Sequence, residues 1–256
     1  MSTTTSLTRT TGLARFNLVL MARNRTTLIY GFAMPLIPLL LLFAMPDTTP
    51  EAGVGALTIT LVMALIFPGY YNLLSMFVTR RDELVLKRLR TGEIRDGELL
   101  TSMALPGAAI TLGVMVLAVP IAAVAGFDLP RNPLLLLAAT LVACVTFAAL
   151  AVWTASWTRT AESAQLTSGP VMIIALAGSF TAGLPEAVTR WTDLLPGAAI
   201  SDLMMVAWFG RDPDGLDRVG WLQGFVEAGP ALGLLVVWAV VALVMAMRAL
   251  RWEPRA

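Results

Sequence analysis

LLLLAATLVACVTFAALAVWTASW, Leu134–Trp157, contains no charged residue. A helix needs about 20 apolar residues to cross a hydrocarbon core of about 30 Å, and this stretch is long enough. Comparable runs occupy residues 27–45, 54–78, 99–125, 165–182 and 229–247. The chain is 57% hydrophobic and only 14% charged, with a mean hydropathy of +0.76, whereas soluble domains carry roughly 25% charge. A soluble fold has no use for several uncharged runs of this length. The expectation is an all-α membrane protein, one domain over residues 1–256 with six transmembrane helices.

Between the runs the polar segments have distinct characters. Residues 12–25, GLARFNLVLMARNR, set Leu13, Phe16, Asn17 and Leu20 on one helical side with Arg15, Arg23 and Arg25 around them. This pattern predicts a helix lying in the membrane interface. The N-terminus lacks an apolar segment followed by a small-residue cleavage site, so the first run is expected to stay as an anchor. Pro35 and Pro38 bend that first span, and FPGYYN, Phe67–Asn72, makes a weak point in the second. The insertion 183–227 mixes apolar pieces with Pro185, Pro196 and the polar turn GRDPDG. Leu194–Phe209 within it is too short and too polar for a span. A re-entrant external helical hairpin before the last span fits it better. LPGAAI occurs at Leu105–Ile110 and again at Leu195–Ile200 without a longer repeat around it.

Six spans place both termini on one side, which then holds 14 of the 18 lysines and arginines. The other side has Arg131, Arg190, Arg211 and Arg218. The positive-inside rule makes the first side cytoplasmic and the chain a multi-pass protein of the cell membrane.

Several chemistries are excluded. A P-loop needs a lysine after its second glycine, and the one lysine, Lys87, follows Leu86. There is no histidine, so no Ser-His nucleophile can form, and no cluster has metal-ligand spacing. Cys144 is the one cysteine and sits in an apolar run. A net charge of +1 gives no field for nucleic acid. No catalytic residue, metal site or resident cofactor is expected.

The most polar segment, TRRDELVLKRLRTGEIRDGE, Thr79–Glu98, is the most informative. Residues 80–91 can form a helix with Leu84, Val85, Leu86 and Leu89 on one broad side. Glu83 and Lys87 are four apart in the favourable order, and Gly92 stands ready to end the helix. An apolar stripe in a polar loop needs a cover, either a soluble partner or the ends of the chain's own spans. The rim of that stripe would be Arg81, Asp82, Glu83, Lys87 and Arg88. A second polar group collects Tyr70, Tyr71, Asn72 and Ser75 in the second span with Thr167, Ser168 and Ser179 in the fifth. These residues can line a substrate path. They can equally serve helix–helix hydrogen bonding or, for the tyrosines, interfacial anchoring.

RRDELVLKRLRTGEIRDGELL resembles the cytoplasmic segment of ABC-2 type transporter permeases, R-E-x-G-T-L-x-x-L-x-x-x-P. Arg81, Asp82, Leu86 and Leu89 match that frame, and Glu98-Leu99-Leu100 matches its end. The sequence departs from it at Leu84-Val85, where the family often has Gly-Thr, and at Glu93, where it often has Pro. The basic start, the short second loop and SAQL at Ser163–Leu166 fit the same outline, which looks most like the daunorubicin-resistance type of drug and antibiotic efflux permease. The resemblance implies a permease subunit without ATPase activity of its own, paired with a second permease, identical or not, in the lipid bilayer. It also implies two copies of a separate P-loop ATPase that carries ATP and Mg2+. Helix 80–91 becomes the coupling helix on which that ATPase docks, and the substrate an amphiphilic drug, antibiotic or lipid. A secondary carrier, or a non-transporting membrane partner in signalling or immunity, are the alternatives.

Cysteines introduced at Thr49, Asn132 and Pro213 should react with an impermeant thiol reagent on intact cells, and one at Gly92 should not. Equal labelling at Gly92 and Thr49 would refute the six-span arrangement.

Overall fold

Thr49-Pro50 and Asn132-Pro133 each start a long helix. The Thr49 hydroxyl accepts from the Ala52 N–H at 3.3 Å and the Asn132 carboxamide from the Leu135 N–H at 3.1 Å. In each case proline takes the first helical position, where a missing N–H costs nothing. The computed structural model describes residues 3–44, 49–90, 95–180 and 185–250, and in these it is helical without a named strand. We name the helices α1 (Thr3–Arg23), α2 (Ile29–Ala44), α3 (Pro50–Asp82), α4 (Val85–Arg90), α5 (Asp96–Val124), α6 (Pro133–Trp157), α7 (Ala164–Ala177), α8 (Glu186–Thr192), α9 (Pro196–Phe209), α10 (Gln223–Glu227) and α11 (Gly229–Ala249).

Helices α3, α5, α6 and α11 are long and apolar enough to cross a bilayer. Helices α2, α7 and α9 are apolar but no longer than 17 residues. The outward faces agree with a lipid surround: Val116 is 70% exposed, Val124 78% and Met247 71%. The chain is a multi-pass membrane protein.

Helix α3 is the hub. Leu57, Leu61, Leu65, Tyr70 and Phe77 along it are fully buried, and α2, α5, α6 and α9 all pack on it. Its 33 residues span about 50 Å, so its last turns pass beyond the hydrocarbon. At that basic end it meets the C-terminus of α6. At the opposite end the Asp128–Asn132 turn is stitched to α9: Trp208 Nε1 donates to Asp128 O at 2.9 Å and Asn132 N to Ala207 O at 2.8 Å. Helices α6 and α11 run parallel, tied by Thr146 Oγ1 to Leu235 O at 3.3 Å and by Asn132 Nδ2 to Trp221 O at 3.2 Å.

Proline-glycine breaks are repaired by neighbours. Pro68 has no N–H to give to Ala64 one turn back, and the chain widens into a π-turn over Leu65–Tyr71. Thr111 of α5 donates its hydroxyl to Ala64 O at 2.9 Å. That hydroxyl comes within reach because Gly107 lets the two backbones touch: a Cβ there would sit 2.3 Å from Pro68 O. Gly197 in the second LPGAAI has the same role, a Cβ falling 2.1 Å from Ala175 O of α7. Both copies of the hexapeptide are thus close helix contacts.

Boundaries differ from those read in the sequence in physically sensible ways. Helix α1 begins at Thr3 rather than residue 12, and its Asn17 faces inward, donating to Ser102 O at 2.9 Å. Phe16 and Leu20 remain outward, 60% and 45% exposed. The expected helix 80–91 is divided. Arg80–Asp82 are the last residues of α3, the chain turns at Glu83-Leu84, and α4 starts at Val85. The proposed stop at Gly92, the neighbouring Thr91 and Glu93, and the tail arginines Arg251 and Arg255 lie outside the described residues. In the insertion, α8 follows Pro185 and α9 starts at Pro196. Helix α9 is buried rather than peripheral, with Ile200, Leu203, Met204 and Trp208 at most 2% exposed. Its start lies beside the middle of α11, where Trp238 Nε1 donates to Leu194 O at 2.8 Å.

Gly107→Leu should abolish the folded, detergent-stable protein, because the Pro68 backbone cannot retreat. Thr111→Val, which keeps the shape, should fold and lose about 0.5–2 kcal/mol, read as a lowered Tm in nanodiscs. A Gly107→Leu protein with unchanged Tm would show that α3 and α5 do not meet here.

Candidate functional site

Pro68, Tyr71, Asn72, Ser75, Met76 and Arg80 lie on one stripe of α3, at the spacing of three and four residues that marks a single helical face. This face opens on a groove of about 690 Å³. Asn17, Leu20 and Met21 of α1, Tyr30 and Gly31 of α2, and Gln165, Ser168 and Met172 of α7 complete its walls, with Asn24 and Thr26 between α1 and α2. Measured along α3 from Phe67 to Arg80, it runs for about 20 Å.

The groove is graded. At the basic end stand Arg80, Asn17 and Gln165. Toward the bilayer stand Phe67, Pro68, Tyr30 and Met172. Tyr30 and Phe67 are stacked with centroids 6.2 Å apart. Arg80 Nη2 donates to Asn17 Oδ1 at 2.6 Å, and Asn72 Nδ2 points at Met21 Sδ at 3.4 Å. Asn17 therefore joins three helices, accepting from α3 and donating to α5.

Four of the seven expected path residues come together here: Tyr71, Asn72, Ser75 and Ser168. The other three are placed elsewhere. Tyr70 is fully buried on the far side of α3, its hydroxyl donating to Thr154 Oγ1 of α6 at 3.1 Å. Thr167 shares a hydroxyl bond of 2.9 Å with Thr158 and caps Ser163 O at 3.1 Å. Ser179 donates to Ala175 O at 3.2 Å in its own helix turn. Successive side chains are about 100° apart on a helix, so a stripe that runs between Tyr71 and Asn72 leaves Tyr70 pointing away from it, and Ser168 enters the groove while Thr167 turns to Thr158. Asn17, Asn24, Tyr30, Arg80 and Gln165 were not expected to line it. The signal for Arg80 was its position at 3.6-residue spacing from Asn72 and Met76.

The polar segment after α3 is built around Arg81. Its side chain is 0% exposed. Nη1 donates to Ala155 O at 2.9 Å, and Nη2 to Thr158 O at 2.7 Å and Arg159 O at 2.9 Å. Ala155 lies in the last turn of α6 and Thr158 and Arg159 just beyond it, where carbonyls have no intrahelical donors and the helix dipole is negative. Asp82 Oδ1 lies 3.4 Å from Nε and completes the charge. Arg81 is therefore a clamp between α3 and α6 and not part of an exposed rim. Leu86 is also fully buried, in the main core, so this member of the apolar stripe is covered within the chain. What faces outward is Asp82, Glu83, Leu84 (41% exposed) and Arg88, with Val85 half-buried. The side chains of Lys87 and Leu89 lie outside the described set. Leu84 turns the chain with φ +58°, the left-handed conformation that glycine adopts without cost. This is the position where the resembled pattern has glycine.

The sequence matches the family described as ABC-2 family transporter protein over residues 17–248. A search of curated protein sequences finds no match.

Removal of the Arg81 guanidinium leaves three carbonyls at the end of α6 without their donor. Arg81→Met should cost about 2–4 kcal/mol and lower Tm accordingly, whereas Arg88→Ala should change it by less than about 0.5 kcal/mol. Equal shifts would mean that Arg81 is solvated and α3 is not clamped.

Proposed function

The chain belongs to the ABC-2 transporter family, and from that premise we propose that it is the transmembrane permease subunit of an ATP-driven exporter, moving an amphiphilic drug, antibiotic or lipid-like substrate out of the cell. It works with a second permease subunit and with two copies of a separate P-loop ATPase that binds ATP and Mg2+. This chain supplies no nucleotide site, since it has no P-loop lysine frame.

One observation carries the substrate reading: the groove on α3 is amide-rich and cationic at one end and aromatic at the other. An amphiphile has the same polarity gradient. The groove is open along one side, so a second permease facing it would close the path. Six crossings, counting the short α2 and α7 with the four long helices, and a cytoplasmic basic end are the topology that goes with this reading.

Coupling follows from the clamp. A push on the Glu83–Arg88 turn by the ATPase pair reaches α3 directly, and through Arg81 it reaches α6. The same helix α3 forms the groove wall, so two packings of α3 would mean two shapes of the groove. ATP supplies the difference by letting the partner bind one packing better.

Docking is then assigned to the outward residues Asp82, Glu83, Leu84 and Arg88, next to Val85, and not to Leu86. Leu84→Asp is the clean probe, since aspartate tolerates a left-handed backbone and the site is exposed. The variant should fold and insert normally but lose copurification of the coexpressed ATPase and the hydrolysis stimulated by substrate. Leu86→Asp should instead fail as a folded permease. If Leu84→Asp retains the ATPase at wild-type affinity, the docking assignment is wrong.

A further inference from the structure

Arg80 and Arg81 are adjacent, yet their surroundings are opposite. Arg81 meets three carbonyls and a carboxylate. Arg80 is half-buried and donates to one neutral oxygen, that of Asn17. Among the described residues that line the groove it carries the one formal charge. The acid whose charge acts on it is Glu83, three residues further, exposed and outside the described lining. A partly desolvated guanidinium presents five donors in a fixed fork, and with no carboxylate among the described lining residues most of that fork is left to a ligand. Gln165 lines the same end of the groove, Asn72 stands about two turns along α3, and the aromatic end lies about 20 Å away at Phe67 and Tyr30.

We propose that this groove selects anionic amphiphiles: a carboxylate or phosphate head held by Arg80 at the basic end, with the hydrophobic body lying along α3 toward the Tyr30–Phe67 stack. This rests on the permease reading for its biological sense and narrows the substrate from amphiphiles in general to acidic ones. The chemistry fits from both ends. Arg80 gains a counter-charge where water is scarce, and charge-assisted hydrogen bonds to such a head are about twice as strong as neutral ones. The body displaces water from an aromatic wall. A cationic drug would meet Arg80 with repulsion and no compensating acid in the lining.

The test is direct binding to the purified full-length permease in nanodiscs of zwitterionic lipid, with empty discs as the blank. Dansyl-labelled undecanoate should bind at least about tenfold more tightly than its methyl ester. Arg80→Gln should remove that preference, and Arg80→Lys should keep most of it. Should Arg80→Gln not fold, the acid-against-ester comparison on the wild type still decides. Equal affinity for acid and ester, or an Arg80→Gln variant with the preference intact, overturns the proposal. Adding phosphatidylglycerol to the discs separates two sources of the same head chemistry. Displacement of the probe identifies a bilayer lipid as ligand, and no displacement identifies a free acidic amphiphile. Both outcomes support an anion site. Loss of the ATPase interaction with acid binding intact would refute the permease reading alone, and intact ATPase copurification with no acid preference would refute this one alone.

Discussion

In a hydrocarbon medium a backbone carbonyl without a donor costs several kcal/mol, and the architecture of this protein is organised around the places where its helices leave one. Pro68 withholds an N–H from Ala64, and Thr111 supplies the hydroxyl. The turn between α8 and α9 exposes Leu194 O beside α11, and the Trp238 indole reaches it. Beyond the hydrocarbon, Ala155 in the last turn of α6 and Thr158 and Arg159 just after it present carbonyls, and one guanidinium takes all three. Each repair comes from a different helix, so each is also a tertiary contact. Without a hydrophobic force between helices in lipid, close packing at glycine and such hydrogen bonds hold a bundle together. Both devices operate at Gly107, and Gly197 supplies the close packing between α9 and α7.

Helix α3 inherits a double role from this. Its inner face, with Tyr70 and Phe77, belongs to the core, and its other face belongs to the groove. A π-turn, here Leu65–Tyr71, adds a residue without a full turn and so rotates everything that follows on the helix. Asn72, Ser75 and Arg80 follow it on one regular helix and are turned together relative to the residues before Leu65. The break that looks weakest in the sequence is thus what points the polar residues into the groove, and α5 holds it in that shape. A switch between two packings of α3 would bend at the same place.

Most of the helix plan could be read from hydropathy, because an uncharged run of more than 20 residues has few other uses. Less could be read where a short-range rule was overridden by tertiary contact. Arg81 has the sequence of a loop cation, and only the unsatisfied end of α6, more than 70 residues on, explains its burial. The break at Glu83-Leu84 carries neither glycine nor proline, so nothing local announced that residues 80–91 would divide. Leu86 read as an exposed stripe residue because its cover is the ends of its own spans. The path residues were half legible: polarity identified the right two helices, but side-chain direction separates Tyr71 from Tyr70 and Ser168 from Thr167. Asn17 escaped because an interfacial helix gives no reason to turn an amide toward the protein until α3 and α5 are placed beside it.

The two arginines at the end of α3 show how a fold divides one chemistry into structure and function. A buried guanidinium that has all its acceptors is a fixture. Moving it would strand carbonyls and a carboxylate at once, so it transmits force and does not respond to ligands. A half-buried guanidinium with one neutral acceptor has donors to spare in a place that water reaches poorly. Its free energy falls when an anion arrives, and no rearrangement of its own helix is needed for that. Because the residues are consecutive, the rigid contact and the responsive one lie on the same turn of α3, about 100° apart. An anion drawn to Arg80, as proposed, would act on the very turn that Arg81 fastens to α6, next to the segment proposed for the ATPase. Ligand binding and partner contact would then bias a single element from two sides, which is the physical condition for one to be felt by the other.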